Sequence, residues 1–261
     1  LSPQRMLEIA KEHKGFVSEV VFVSQSGKAN MKLTYYSSEC EVDFCGHGTI
    51  ATMYELIRTH PDLVQEEKLL VETHKKGLIT VYNKLIDEDS VYICAPEPTY
   101  FSHAIPTASI AEQLGLQTDS ISSEHPIEII DAGLKTLIVP ISTLGTAIRI
   151  WPDENTLQEF CLKNEIDIIL VFSLETEASS CFAHTRVFAP KFGYLEDPAT
   201  GSGNSAFGNY LLKNRLWDGQ AITIEQGPKN SIFNHVKLRF EKNDLLFGGK
   251  ARLIIEGTYH A

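Results

Sequence analysis

The sequence contains a small set of side chains that could move protons or bind an anion, and most of them lie in two similar segments. His47 lies inside a Gly-x-Gly sequence that follows Cys45, and Ser202 lies inside a second Gly-x-Gly sequence that follows Asp197. Glu19 is a carboxylate within an otherwise apolar stretch, FVSEVVFV. Histidine and carboxylates are the residue types that most often act as general acids and bases. These residues indicate proton-transfer chemistry.

The two Gly-x-Gly segments have the same pattern. Each has an acid, four residues, Gly-x-Gly, two residues and Ala, followed by an apolar helical stretch; one begins at Glu41 (EVDFCGHGTIA) and the other at Glu196 (EDPATGSGNSA). A helix start offers unpaired N–H groups and the positive end of the helix dipole, and glycine lets the backbone approach a ligand. Both helix starts are therefore candidate anion-binding sites, with the N–H groups of Gly46, His47, Gly201 and Ser202 as the binding groups.

Glu19 would share one face of a strand with Val17, Val21 and Val23, because side chains alternate along a strand. A carboxylate on an apolar face must be solvated at a sheet edge, paired, or enclosed. Two interpretations stay open at this point. Glu19 is either a solvated edge residue or the general base of an enclosed pocket.

Cys45 precedes a helix start, where a thiol can become reactive. Its counterpart in the second segment is Thr200, so a proton shuttle with two thiols would lack one sulfur. The spacing of Cys40, Cys45, His47 and Cys94 fits no standard zinc pattern, and no metal is expected.

The pattern G-x-G-x-x-A also resembles a dinucleotide fingerprint, but acidic residues and a proline stand where a buried strand should precede it. No cofactor is expected.

The composition is that of an ordinary globular protein of 261 residues, with 43% hydrophobic and 22% charged residues. The formal net charge of -11 argues against nucleic acid or an anionic membrane surface as the main partner. No apolar run approaches the roughly 20 residues that cross a bilayer. The five cysteines are odd in number and scattered, which favours free thiols and a cytoplasmic protein.

The hydrophobic periodicity predicts a mixed α+β protein with two similar halves. Helices are expected at 2–13, 48–59, 109–115, 155–164 and 203–215, the third with a capping box from Ser109 to Glu112. Strands are expected at 16–23, 31–36, 68–73, 78–84, 90–94, 127–131, 134–141, 145–150, 167–173 and 181–188, with four more near the end. The proline-rich stretch 95–106 is the expected linker, so the halves are predicted at 1–104 and 105–249. A strand is expected to precede Leu1, and one near 250–261 is expected to complete the first half.

Three segments carry a resemblance to a known family: FVSEVVFV around Glu19, EVDFCGH from Glu41, and the stretch from Phe188 to Ser202 that ends in EDPATGS. The sequence resembles the PhzF-like phenazine-biosynthesis isomerases, of the diaminopimelate epimerase fold superfamily. The resemblance implies two similar domains, each a curved, mostly antiparallel sheet wrapped around a central helix. It also implies a ligand in the cleft between the domains and a homodimeric assembly.

The resemblance further implies a cofactor-independent isomerase that shifts a proton on a small, cyclic or amino, carboxylate substrate. Glu19 is then the acid/base, His47 and Asp197 assist, and the substrate is bound by Gly46, His47, Gly201 and Ser202 with Cys45 and Thr200 nearby. Cys45 stands where the phenazine enzyme has a small residue and matches a catalytic cysteine of the epimerases. An amino-acid racemase or epimerase using Cys45, a non-catalytic binding protein and a nicotinamide-dependent enzyme remain as alternatives.

Overall fold

The computed structural model describes residues 1–228 and 232–260, and the chain forms two compact units. The first unit contains Leu1–Cys94 and Gly248–Ala261, and the second contains Ala95–Phe247. The first unit is therefore built from two separate stretches of the chain, whereas the second is continuous. The domain boundaries expected at 104 and 249 stay a prediction.

The first unit has four helices and six strands among its described residues. The helices are α1 (Pro3–Glu12), α2 (Gly46–Thr59), α3 (Pro61–Val64) and α4 (Leu85–Glu88), and the strands are β1 (Glu19–Ser24), β2 (Met31–Ser37), β3 (Glu41–Val42), β4 (Lys68–Thr73), β5 (Gly77–Lys84) and β6 (Ser90–Cys94). Helix α1 begins as its sequence predicts, since the side chain of Ser2 accepts a hydrogen bond from the Arg5 N–H and Pro3 occupies the first turn.

The sheet of the first unit curls around α2. Its strand order is β1-β2-β4-β5-β6, with β3 also paired to β2, and all pairs except β2–β4 are antiparallel. A flat sheet with strands about 4.8 Å apart would hold β1 and β6 about 19 Å from each other. Helix α2 nevertheless contacts both of these strands, so the sheet must bend around it. The buried face of α2 includes Met53, Tyr54 and Ile57.

The second unit has four helices and nine strands among its described residues. The helices are α5 (Thr107–Gln113), α6 (Leu144–Ala147), α7 (Glu154–Lys163) and α8 (Gly201–Lys213). The strands are β7 (Thr99–Phe101), β8 (Glu128–Asp131), β9 (Lys135–Pro140), β10 (Ile168–Ser173), β11 (Ala183–Phe188), β12 (Glu196–Asp197), β13 (Ile222–Gln226), β14 (Asn234–Glu241) and β15 (Asp244–Gly249), within which the chain returns to the first unit.

Helix α8 is the centre of the second unit. The strand order is β15-β14-β13-β11-β10-β9-β8-β7, with β12 also paired to β11. Helix α8 contacts β8, β9, β10 and β14, although β8 and β14 would lie about 24 Å apart in a flat sheet. Every residue from Gly203 to Leu211 is buried, as expected of a helix enclosed on all sides. Each unit is therefore a mostly antiparallel sheet curved around one helix, and the predicted α+β class with two similar halves is confirmed.

Several predictions about single elements were wrong. Residues 145–150 do not form a strand; α6 occupies 144–147 because the Thr143 side chain accepts a hydrogen bond from the Thr146 N–H and starts a helix. Helix α5 begins at Thr107 after Pro106, so Ser109 lies inside it and forms no capping box. Residues 250–260 contain no helix or strand; β15 ends at Gly249.

Two further sequence predictions can be compared with the structure. All five cysteines are free, as expected. None of the helices in the described residues is long and apolar enough to cross a membrane.

Candidate active site

The first Gly-x-Gly sequence forms the first turn of α2, and Cys45 is its N-cap. The Cys45 sulfur accepts a hydrogen bond from the Gly48 N–H at 3.3 Å, and the Cys45 carbonyl accepts one from the Thr49 N–H at 2.9 Å. The Thr49 hydroxyl also donates to the Cys45 carbonyl at 2.7 Å and lies 2.7 Å from the Tyr35 hydroxyl. Cys45 is thus held from several sides, and it is buried.

Gly48 is required by packing within the protein. A Cβ atom at this position would lie 2.8 Å from Cγ2 of Val21 and 2.9 Å from Sγ of Cys45. The same is true of Gly201, where a Cβ atom would lie 2.3 Å from the ring of Phe247. At these two positions glycine leaves room for neighbouring side chains of the protein itself. The sequence had predicted that it leaves room for a ligand.

Glu19 and His47 form an ion pair at the start of α2. Glu19 is the first residue of β1, an edge strand of its sheet, and its side chain is 21% exposed. Its Oε2 atom lies 3.0 Å from Nε2 of His47. This oxygen is buried, yet it accepts no directed hydrogen bond from any described residue. Glu19 therefore lies on an edge strand, as one of the two interpretations had it, but its side chain is paired with His47 and mostly covered.

His47 also lies beside the thiol of Cys45. The sulfur is 3.6 Å from Nε2 and 3.7 Å from Nδ1 of the ring. The neighbouring Cys45 sulfur, and next the Glu19 carboxylate, raise the pKa of His47 from its ordinary value near 6.5 to about 11. The ring therefore carries a positive charge at neutral pH. Since 47% of the side chain is exposed, the ring can still exchange protons with solvent.

The second Gly-x-Gly sequence forms the first turn of α8, and Thr200 is its N-cap. The Thr200 side chain makes no capping hydrogen bond; its hydroxyl instead donates to Oδ2 of Asp197 at 2.7 Å. Asp197 lies at the end of β12 and is partly buried, and Ser202 lies in the first turn of the helix. The two helices therefore begin at equivalent positions of the repeated pattern. Their N-cap residues differ, because the Cys45 side chain caps its helix whereas the Thr200 side chain binds Asp197.

Gln226 and Asn204, which the sequence did not point to, form a hydrogen-bond network at the start of α8. The Gln226 side chain donates to the Asp197 carbonyl at 2.7 Å and to the Thr200 hydroxyl at 3.2 Å. Its amide oxygen accepts from the Thr200 N–H at 3.3 Å and from the Asn204 side chain at 2.8 Å. Gln226 and Asn204 are both fully buried. A glutamine at the end of a strand-forming run and an asparagine in a helix carry no distinctive sequence signal.

The acids that open the two segments have structural partners. Glu196 binds the guanidinium of Arg186 with two hydrogen bonds, at 2.9 and 2.8 Å, and Arg186 is fully buried. Glu41 is paired with the imidazole of His74. Part of the repeated pattern therefore serves the fold. Glu19, Cys45 and His47 are brought together in the first unit, and Asp197, Thr200, Gly201 and Ser202 surround one helix start in the second.

The family model described as phenazine biosynthesis-like protein (PhzC-PhzF) matches residues 1–257. The chain belongs to this family. Among curated relatives of this PhzC-PhzF member, an uncharacterized isomerase, YfhB, from Bacillus subtilis is 26% identical over 97% of the chain and 84% of its own length. The trans-2,3-dihydro-3-hydroxyanthranilate isomerase of Pseudomonas aeruginosa is 28% identical over 87% of the chain and 76% of its own length.

A solved structure gives the same result for the fold of the PhzC-PhzF member. The PhzF-family phenazine biosynthesis protein of Bacillus anthracis superposes with a TM-score of 0.83 at 25% identity, covering 95% of this chain and 85% of that one. The resemblance stated from the three sequence segments is confirmed. The PhzC-PhzF member is an isomerase, as the two relatives just described are named.

Proposed function

We propose that this isomerase shifts a proton on a small carboxylate substrate and that Glu19 is its acid/base. One observation carries the proposal: the buried Oε2 of Glu19 accepts no directed hydrogen bond and lies 3.0 Å from the ring of His47. A general base needs a lone pair that is free to take a proton and is shielded from water. Burial of Oε2 and the lack of a directed hydrogen bond to it support this role, and the contact with His47 gives the base a neighbouring proton donor.

The reaction conserves atoms and electrons within the substrate. The Glu19 carboxylate takes a proton from a C–H bond, and the electron pair of that bond moves into the adjacent π system. A proton is then delivered to the other end of that system, either the same proton from the carboxyl group of Glu19 or one from the protonated ring of His47; in the second case the proton held by Glu19 passes to His47, 3.0 Å away, and restores both groups. Because no electrons leave the substrate, the isomerisation requires no redox cofactor.

The substrate carboxylate has binding groups at the helix starts. The N–H groups of Gly48 and Thr49 are used by Cys45, whereas those of Gly46 and His47 have no acceptor within the helix. These groups, together with the positive His47 ring, favour an anion. In the second unit we propose the N–H groups of Gly201 and Ser202 as binding groups, Asp197 as a second acid/base, and Thr200 as its hydrogen-bond partner.

The test uses wild type and Glu19→Gln with trans-2,3-dihydro-3-hydroxyanthranilate, the compound named by the Pseudomonas aeruginosa relative, in D₂O. NMR follows product formation and deuterium incorporation. Glu19→Gln should lower the rate by about 10²–10⁴-fold, because it replaces a base by an isostere without a free carboxylate. The matched control is Glu39→Gln, which changes an exposed glutamate of the same unit.

Full activity of Glu19→Gln would refute the assignment of the base. No turnover by folded wild type would remove this substrate, and amino acids with α-proton exchange as the readout would then be tested. Ligand binding without any exchange would favour a non-catalytic binding protein.

A second candidate is a racemase or epimerase that uses Cys45. It is favoured by the position of the Cys45 sulfur, which accepts a hydrogen bond from a helix-start N–H and lies 3.6 Å from His47. A two-base racemase needs a second base, and the hydroxyl of Thr200 is already engaged with Asp197. If α-proton exchange on an amino acid persists in Glu19→Gln and disappears in Cys45→Ser, the second candidate is correct and the first is wrong.

We also propose that the protein is a homodimer and acts in the cytoplasm. Five free cysteines suit a reducing compartment. Light scattering coupled to size-exclusion chromatography measures the assembly directly, since a monomer has a mass of 29.1 kDa. A mass near that value would contradict the dimer.

A further inference from the structure

Glu19, Cys45 and His47 form a cluster of three different metal-ligating side chains. A carboxylate oxygen, the thiol sulfur and an imidazole nitrogen all lie within 4.8 Å of one another, and no other group of this kind occurs among residues 1–228 and 232–260. Carboxylate, thiolate and imidazole are the ligands that zinc uses in proteins, and zinc sites with an open position have three protein ligands. The sequence shows no zinc pattern at these residues because Glu19 comes from a different element than Cys45 and His47.

The spacing within the cluster is close to that of a tetrahedral site. Ligand bonds of about 2.0–2.3 Å at tetrahedral angles place an imidazole nitrogen about 3.3 Å from a carboxylate oxygen and about 3.5 Å from a thiolate sulfur. The corresponding distances are 3.0 Å from His47 to Glu19 and 3.6 Å from His47 to Cys45. The remaining distance, from Cys45 to Glu19, is no more than 4.8 Å and would shorten to about 3.5 Å in a tetrahedral site.

The charges of the cluster act in both directions on a cation. Oε2 of Glu19 is buried, accepts no directed hydrogen bond and lies 3.0 Å from the His47 ring, so it offers a lone pair to a cation at the cluster. Two opposing effects are present. The positive end of α2 disfavours a cation, and His47 must lose a proton before its nitrogen can bind a metal. Zinc bound by one thiolate and one carboxylate leaves the site neutral, which limits the first effect.

We propose that Glu19, Cys45 and His47 bind one Zn²⁺ ion, with the fourth position open, and that metal binding and proton transfer exclude each other. Exclusion follows because the metal takes the lone pair of Glu19 that a base requires. The metal site uses the side chains named for the isomerase but does not depend on its activity, whereas the mutual exclusion rests on the proposed function. Metal binding is measured on the protein alone, so that either proposal can fail without the other.

The test uses the purified full chain, freed of metal by a chelator, and two probes. Calorimetric titration with Zn²⁺ gives the stoichiometry and affinity. Titration with Co²⁺, followed by absorption, reports a thiolate ligand through its sulfur-to-cobalt charge-transfer band. The variants are Glu19→Gln and Cys45→Ser; serine is a good N-cap residue and can accept the same N–H, so the start of α2 should keep its structure.

Cys181→Ser provides the matched control. Cys181 lies 3.9 Å from Nε2 of His235, so it also has a histidine neighbour. The nearby carboxylate of Glu225 is already used, since it accepts hydrogen bonds from the Glu177 and Ala178 N–H groups and is paired with His184. This second cysteine therefore lacks a free third ligand.

Wild type and Cys181→Ser should bind one Zn²⁺ per chain and show the charge-transfer band with Co²⁺. Cys45→Ser should lose the band, and each of the two site variants should bind Zn²⁺ at least about 10-fold more weakly, since changes even to outer-shell partners cost 10–100-fold. Zn²⁺ should stop substrate proton exchange, and a chelator should restore it. An unchanged affinity and spectrum in Cys45→Ser, or no binding by wild type at about 1 mM metal, would overturn the proposal.

Discussion

Replacing Gln226 by leucine should destabilise the second unit by about 1–4 kcal/mol. Gln226 is fully buried and makes four hydrogen bonds, which join Asp197, Thr200 and Asn204. Asn204 would keep its bond to the Thr200 carbonyl, and the Thr200 hydroxyl would keep its bond to Asp197. The Thr200 N–H and the Asp197 carbonyl would lose the partner that Gln226 provides. Each such group costs about 1–3 kcal/mol, and burial of the leucine side chain offsets about 1–2 kcal/mol of the sum.

Urea unfolding monitored by tryptophan fluorescence suits this experiment. The two tryptophans of the sequence, Trp151 and Trp217, both lie in the second unit, and Trp217 is buried while Trp151 is exposed. The signal therefore reports the unit that contains Gln226. Gln220→Leu is the control, because Gln220 is exposed and its replacement should change stability by no more than about 0.5 kcal/mol. A Gln226→Leu protein within about 1 kcal/mol of wild type would refute the role given to this glutamine.

Two further predictions concern charged side chains. Arg186→Met should lower the free energy of unfolding by about 3–5 kcal/mol, because it leaves the partly buried Glu196 without its partner. Adding Glu196→Gln should recover part of that loss. Equal stability of the single and double variants would contradict this prediction. In the metal-free protein, His47 should stay protonated well above about pH 6.5, because its pKa is raised to about 11. The protonated ring should therefore contribute its full share to the free energy of unfolding below about pH 6.5, and this contribution should be lost as the pH rises to about 11. NMR of the ring should show a lower pKa in Glu19→Gln, and an unchanged titration would exclude Glu19 as a cause.

The sequence predicted the elements whose signals are local. Helix α2 and strand β4 lie close to where periodicity placed them, because each has a buried face with a regular spacing. Helix α8 and strand β6 are buried almost throughout, and the sequence shows them as apolar stretches. The strand expected at 145–150 was wrong because one hydrogen bond to the Thr143 side chain starts a helix there. A local bond from a side chain to the backbone can start a helix in a segment whose residues favour a strand, and residue composition does not show whether that bond forms.

The candidate site was predictable only in part. The repeated pattern pointed to Cys45, His47 and the start of α8, since it is a pattern in the sequence itself. The contact between Glu19 and His47 depends on the register of β1 beside α2, which sequence spacing does not determine. Gln226 could not be found at all, because its role is defined by its partners, Thr200 and Asn204, and none of them is close to it along the chain.

The discontinuous first unit has a consequence for synthesis of the protein. A ribosome releases the second unit, Ala95–Phe247, as one uninterrupted stretch that can fold as soon as it has emerged. The first unit must wait, because it includes contacts of Asp89 with Lys250 and of Glu12 with Tyr259. During translation, we therefore expect the earliest part of the chain to reach its native state last, with its apolar helix faces accessible to chaperones until then.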